Sequence, residues 1–104
     1  MAAPWNPPVK NEDFQLRIAL VDANDPRSFK ITPTIATGDF QVSKDGGAFA
    51  NLGTLPSVSP AATVSVLLTL SATEMNADSV AIRGVDQTGP KEWCDFFLSI
   101  PTTA

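Results

Sequence analysis

The sequence predicts an all-β domain, an antiparallel β-sandwich of six to seven short strands preceded by an extended N-terminal arm. Three observations carry that prediction. Apolar residues alternate with polar ones over short runs, the signature of half-buried strands. Turn formers (Gly, Pro, Asp, Asn and Ser) punctuate the chain between those runs. No stretch shows helical periodicity for longer than a turn or two.

The arm is residues 1–12 and the sandwich residues 13–104. Pro4, Pro7 and Pro8 fix φ and remove donors, so neither a helix nor a central strand forms there. Trp5 stands among them, where no core element exists to receive it. It either folds back on its own domain or inserts into a neighbour, and the sequence leaves both open.

From Asp13, Phe14, Leu16, Ile18 and Leu20 alternate with Gln15, Arg17 and Ala19, which reads as a strand. Asp22-Ala23-Asn24-Asp25-Pro26 ends it. Phe29-Lys30-Ile31 reads as a short edge strand cut off by Pro33. Gly38 to Lys44 is the next strand, with Phe40 and Val42 on one face. Asp45-Gly46-Gly47 follows, a hairpin signal because the tight turn demands positive φ. Phe49 and Leu52 belong to the return strand, and Gly53 to Pro60 reads as loop.

Thr63 to Leu70 is the most regular run. Val64, Val66, Leu68 and Leu70 point inward, and Leu67 points the other way. Ser71-Ala72-Thr73-Glu74 matches a capping box, so one helical turn is expected before the next strand, which Val80 and Ile82 open. Asp86 to Pro90 ends that strand. The last strand is expected from Glu92 to Ile100, with Cys94, Phe96, Leu98 and Ile100 inward and Trp93 and Phe97 sharing the opposite face.

Composition then limits the chemistry. The 104 residues contain no histidine and one cysteine. That removes the commonest general base, the commonest metal ligand and any internal disulfide. Cys94, among apolar neighbours, reads as an inert thiol. Asp22, Asn24 and Asp25 are too closely spaced for a calcium loop and are explained by turn chemistry. Asp39 and Asp45 bracket a strand and read as solvated, and Asp95 faces outward or sits at an interface. Gly46-Gly47 has no following helix or lysine to cradle phosphate. No catalytic, cofactor-binding or metal-binding residue is therefore expected, and the chain does not read as an enzyme.

Seven basic against eleven acidic residues leave a net charge of −4. The cations are scattered, so nucleic acid is not an expected partner. No apolar run approaches the roughly 20 residues that span a bilayer, and the N-terminus lacks the regions of a signal peptide. The expectation is cytoplasmic synthesis, with export only inside something larger. Charged residues are 17% of the chain, against a globular norm of about 25%, which suits a surface that meets other protein. The candidate interface residues are Trp5, Pro7, Pro8, Leu67, Trp93 and Phe97. If Leu67 and Trp5 join Trp93 and Phe97, an aromatic–aliphatic patch forms outside the main core, which reads either as a second packing layer inside the sandwich or as a subunit contact.

Two segments carry a family resemblance. Phe40-Gln41-Val42-Ser43-Lys44-Asp45-Gly46-Gly47-Ala48-Phe49-Ala50-Asn51-Leu52 resembles the strand, Lys-Asp-Gly-Gly, strand hairpin of small tailed-bacteriophage virion proteins. Leu70-Ser71-Ala72-Thr73-Glu74-Met75-Asn76-Ala77-Asp78 resembles the Leu-Ser/Thr-x-x-Glu-Met turn of the same group. The resemblance implies an immunoglobulin-like β-sandwich located in the virion, partnered by the major capsid protein or other virion proteins and by further copies of itself. Because no fibre follows the domain in this sequence, the expected role is capsid decoration, or cement. The alternatives are a baseplate or fibre-attachment module and, from a different class, a carbohydrate-binding domain using Trp5, Trp93 and exposed acids.

Overall fold

The computed structural model describes residues 7–87 and 89–103. Seven strands form: β1 (Phe14–Ala19), β2 (Phe40–Lys44), β3 (Ala50–Asn51), β4 (Ser57–Val58), β5 (Ser65–Leu70), β6 (Ser79–Gly84) and β7 (Phe96–Pro101). They build two antiparallel sheets, β1-β5-β4 and β3-β2-β6-β7, and no helix occurs among the described residues. This is the immunoglobulin-like arrangement, three strands facing four.

Alternation does the work that the sequence assigns to it. Val66, Leu68 and Leu70 of β5 are buried, as are Val80 and Ile82 of β6 and Phe40 and Val42 of β2. Phe14, Leu16 and Ile18 stand directly opposite Leu70, Leu68 and Val66, so β1 adds its apolar face to the same core. Gly84 faces Phe40 across the β2–β6 ladder. A Cβ at Gly84 would lie 2.9 Å from the Phe40 ring, so the strand carries glycine where the ring crosses its backbone.

The β2–β3 connection begins with a tight turn in which Asp45 and Gly46 both have positive φ, 49° and 78°, and Gly47 N–H donates to Lys44 O at 2.9 Å. That is the type I′ geometry expected of Asp-Gly. The return limb carries one more residue than the outgoing limb before the first ladder pair, Val42 with Ala50, so the hairpin is bulged beyond its tip.

Four expectations change. Ser57–Val58, read as loop, pairs with Leu67 and Val66 as edge strand β4. Phe29 makes one isolated bridge to Val21, so no strand forms over Phe29 to Ile31. The last strand begins at Phe96, not at Glu92. Residues 92–94 pair elsewhere: Trp93 bridges Asp22, Cys94 N–H donates to Val21 O at 2.8 Å, and Ala23 N–H donates to Glu92 O at 3.0 Å. These bonds stitch the end of β1 in one sheet to the start of β7 in the other. The break in pairing also breaks the alternation, so Cys94 ends up half-buried and Trp93 turns inward. Finally, Asp39 is 2% exposed and not solvated.

From Pro8 onward the arm lies on its own domain. Thr103 N–H donates to Pro8 O at 3.0 Å, Lys10 N–H to Thr103 O at 2.7 Å and Asn11 N–H to Met75 O at 3.0 Å. Val9 and Thr103 form a single parallel bridge. Extending that ladder backward would call on Pro8 and Pro101, neither of which has an N–H, so it stops there.

Candidate functional site

The structure separates the residues that the sequence grouped into one patch. Trp5 lies outside the described residues. Pro7 is exposed, while Pro8 is half-buried and its carbonyl accepts from both the N–H and the hydroxyl of Thr103. Trp93 is fully buried: its ring stacks on Phe40 with centroids 5.4 Å apart, and its indole N–H donates to Thr34 O at 3.1 Å. It is a core residue, so it cannot share an exposed face with Phe97. Leu67 alternates with the buried Val66 and Leu68, which sets it on the outer face of the three-stranded sheet between Arg17 and Ser57. Phe97 alternates with Phe96 and Leu98, both packed against the core, and lies on the outer face of the four-stranded sheet at 64% exposure. Leu67 and Phe97 therefore look out from opposite sides of the sandwich, and no patch joins Leu67, Trp93 and Phe97 among the described residues.

The two motifs behind the family resemblance do come together. They meet across a groove of about 360 Å³, whose walls include Val42, Lys44, Ala48, Ala50, Thr73 and Glu74. Ser71 N–H donates to Glu74 Oε1 at 2.9 Å and Glu74 N–H to Ser71 Oγ at 3.2 Å, the reciprocal capping box. Met75 N–H closes one helical turn on Ser71 O at 2.9 Å. The second Glu74 oxygen accepts from Gly53 N–H at 2.9 Å, and Lys44 Nζ donates to Thr73 O at 3.1 Å. Asp45 Oδ1 accepts from the N–H groups of Asp78 and Ser79, both at 3.0 Å. Lys44, Asp45 and Glu74 are thus engaged in holding the hairpin against the turn, while the Asp78 carboxylate pairs with Lys10 of the arm at 3.2 Å. The motifs read as a device of the fold rather than as a reactive site. Glu74→Ala frees two N–H groups at once, and we expect it to lower stability by about 1–2 kcal/mol, measured as a shift in urea midpoint at unchanged slope.

The remaining carboxylates are structural as well. Asp22 Oδ1 accepts from Asn24 N–H at 2.8 Å, and Asp25 accepts from Arg27 and Ser28, the side-chain turns expected of this loop. No group of three or more metal-ligating side chains occurs among the described residues. Asp86, 2% exposed, accepts from Glu92 N–H at 2.7 Å. Lys91 donates to Asp95 at 2.7 Å, and that hydrogen bond holds its ammonium above the ordinary lysine pKa.

One feature of the surface was invisible as a motif. Asn51, Gln41, Arg83 and Phe97 stand opposite one another on β3, β2, β6 and β7 and form a single row across the outer face of the four-stranded sheet. Gln41 Nε2 donates to Asn51 Oδ1 at 3.2 Å, and Arg83 Nη2 donates to Gln41 Oε1. The guanidinium lies over the Phe49 ring, 4.1 Å from its centroid. Sequence alone treats Arg83 as one scattered cation, because the row exists only once three strand registers are known.

Comparison with family models, with curated proteins and with solved structures finds no match to this chain.

Proposed function

We propose that this chain is a non-enzymatic structural protein of a tailed-phage virion, a decoration protein that grips the capsid exterior and bridges capsid subunits. The observation that carries this reading is the outer face of the four-stranded sheet, where Phe97 stands 64% exposed beside an arginine already held in place. Aromatic residues and arginine are the side chains that most often anchor protein interfaces. The sandwich fold and the joined hairpin and turn motifs accord with the virion proteins that the sequence resembles. The chemistry is adhesion. Each copy covers a modest apolar patch, and many copies on one shell make release slow although each contact is weak.

The carbohydrate-binding alternative loses its main support here, because Trp93 is packed in the core and presents no face to a sugar. Gold-labelled antibody against this chain, applied to purified particles from its source, tests the proposal. Labelled heads are the expected result. Labelled tails would move the protein to a baseplate or fibre attachment, and particles free of the chain would overturn the virion reading.

A further inference from the structure

We infer that the Arg83–Phe97 row is the docking surface itself and that its occupant is a protein segment presenting a carboxylate beside an apolar side chain; this rests on the virion reading above. The four strands of the sheet carry two charged residues, Lys44 and Arg83, and no acid. This occurs in a chain whose net charge is −4. Lys44 lies on the same side of its strand as Phe40 and Val42 and donates to Thr73 O, so among the strand residues Arg83 is the cation of the outer face. Arg83 belongs to no ion pair among the described residues.

Its geometry suits a carboxylate. One side of the guanidinium is covered by Phe49, and one edge is fixed by Gln41, itself fixed by Asn51. A planar donor held in this way loses little freedom on binding and offers its remaining N–H groups as a fork to two carboxylate oxygens. Phe97, directly opposite Arg83 on the edge strand, supplies the apolar contact that excludes water from the pair. At the usual strand spacing the row is about 14 Å from Asn51 to Phe97, room for one extended segment laid across the sheet.

The test uses particles assembled from a phage lacking this gene, incubated with purified full-length chain and sedimented. Wild type and Leu67→Ser, altered on the opposite face, are expected to bind alike. Arg83→Gln and Phe97→Ser are each expected to bind at least about tenfold more weakly, with melting temperatures unchanged because both side chains point outward. Arg83→Lys keeps the charge but not the fork, and it should recover only part of the loss. Added salt should weaken wild type more than Arg83→Gln. Wild-type binding matched by both variants overturns this inference and leaves the virion role standing. Failure of wild type to bind particles overturns both. Wild-type retention on polygalacturonate or single-stranded DNA, lost in Arg83→Gln, would identify a different anion and overturn the protein occupant.

Discussion

Trp93→Ala is expected to leave the protein folded but severely weakened. The ring is fully buried, stacks on Phe40 and holds Thr34 O through its indole N–H. Phe40 in turn meets Phe96 at a tilt, with centroids 6.2 Å apart, and lies across the Gly84 backbone, so the tryptophan supports the contact between β2, β6 and β7. Truncating a fully buried Trp costs about 3–5 kcal/mol, and a domain of this size has only about 5–15 kcal/mol in total. The lost volume sits where three chain segments converge, which limits how far the neighbours can close on the gap. Urea denaturation followed by far-ultraviolet circular dichroism measures the loss, and the melting temperature should drop by roughly 15 °C or more. Phe97→Ala is the matched control. Being exposed, it should stay within about 0.5 kcal/mol of wild type. A Trp93→Ala protein as stable as Phe97→Ala would mean that the ring is not a core residue at all.

The same pair of residues shows what the sequence can and cannot reveal. Within a continuous ladder, alternation is a reliable guide: Phe96, Leu98 and Ile100 turn toward the core and Phe97 away from it, as the spacing predicts. The rule fails at Trp93 because the ladder does not reach it. Residues 92–94 leave β6 and pair with the end of β1, and no local pattern announces a change of partner. Short signals with a mechanism fared better. Asp45-Gly46 forms the positive-φ turn, and Ser71 with Glu74 forms the capping box, because each depends only on neighbours in the chain. The Arg83 row lies at the other extreme. Its four members come from four strands, and a shift of one residue in any register would carry that strand's member to the inner face. Strands as short as β4 escape notice for a related reason: two residues cannot show a period.

The row's register has a keeper, and removing it is the second large effect. Asp39 precedes β2 and is 2% exposed, with its carboxylate shared between two chain segments. Oδ2 accepts from Ala36 N–H at 2.9 Å, closing its own loop, and Oδ1 accepts from Gln87 N–H at 3.1 Å, just past the end of β6. Its main-chain carbonyl also accepts from Val85 N–H at 2.8 Å, so side chain and backbone together clamp β2 to β6 beside the Phe40–Gly84 pair. Asp39→Ala leaves two N–H groups of part-buried hydrogen bonds without their acceptor, at about 1–3 kcal/mol each. We expect a total loss of about 2–6 kcal/mol. Asp39→Asn should fall between Ala and wild type, since its amide oxygen satisfies one N–H while its NH₂ faces the other donor. Asp95→Ala, at an exposed position, should cost under about 1 kcal/mol. Hydrogen exchange separates this clamp from general weakening: the Ala36 and Gln87 amides should lose protection first, ahead of Val66 and Leu68 in the other sheet. Equal loss across both sheets would show that Asp39 contributes only to overall stability. If the clamp is local, particle binding by Asp39→Asn at a temperature where it remains folded should also weaken, because Gln41 and Arg83 lie one residue inside the pair that it secures.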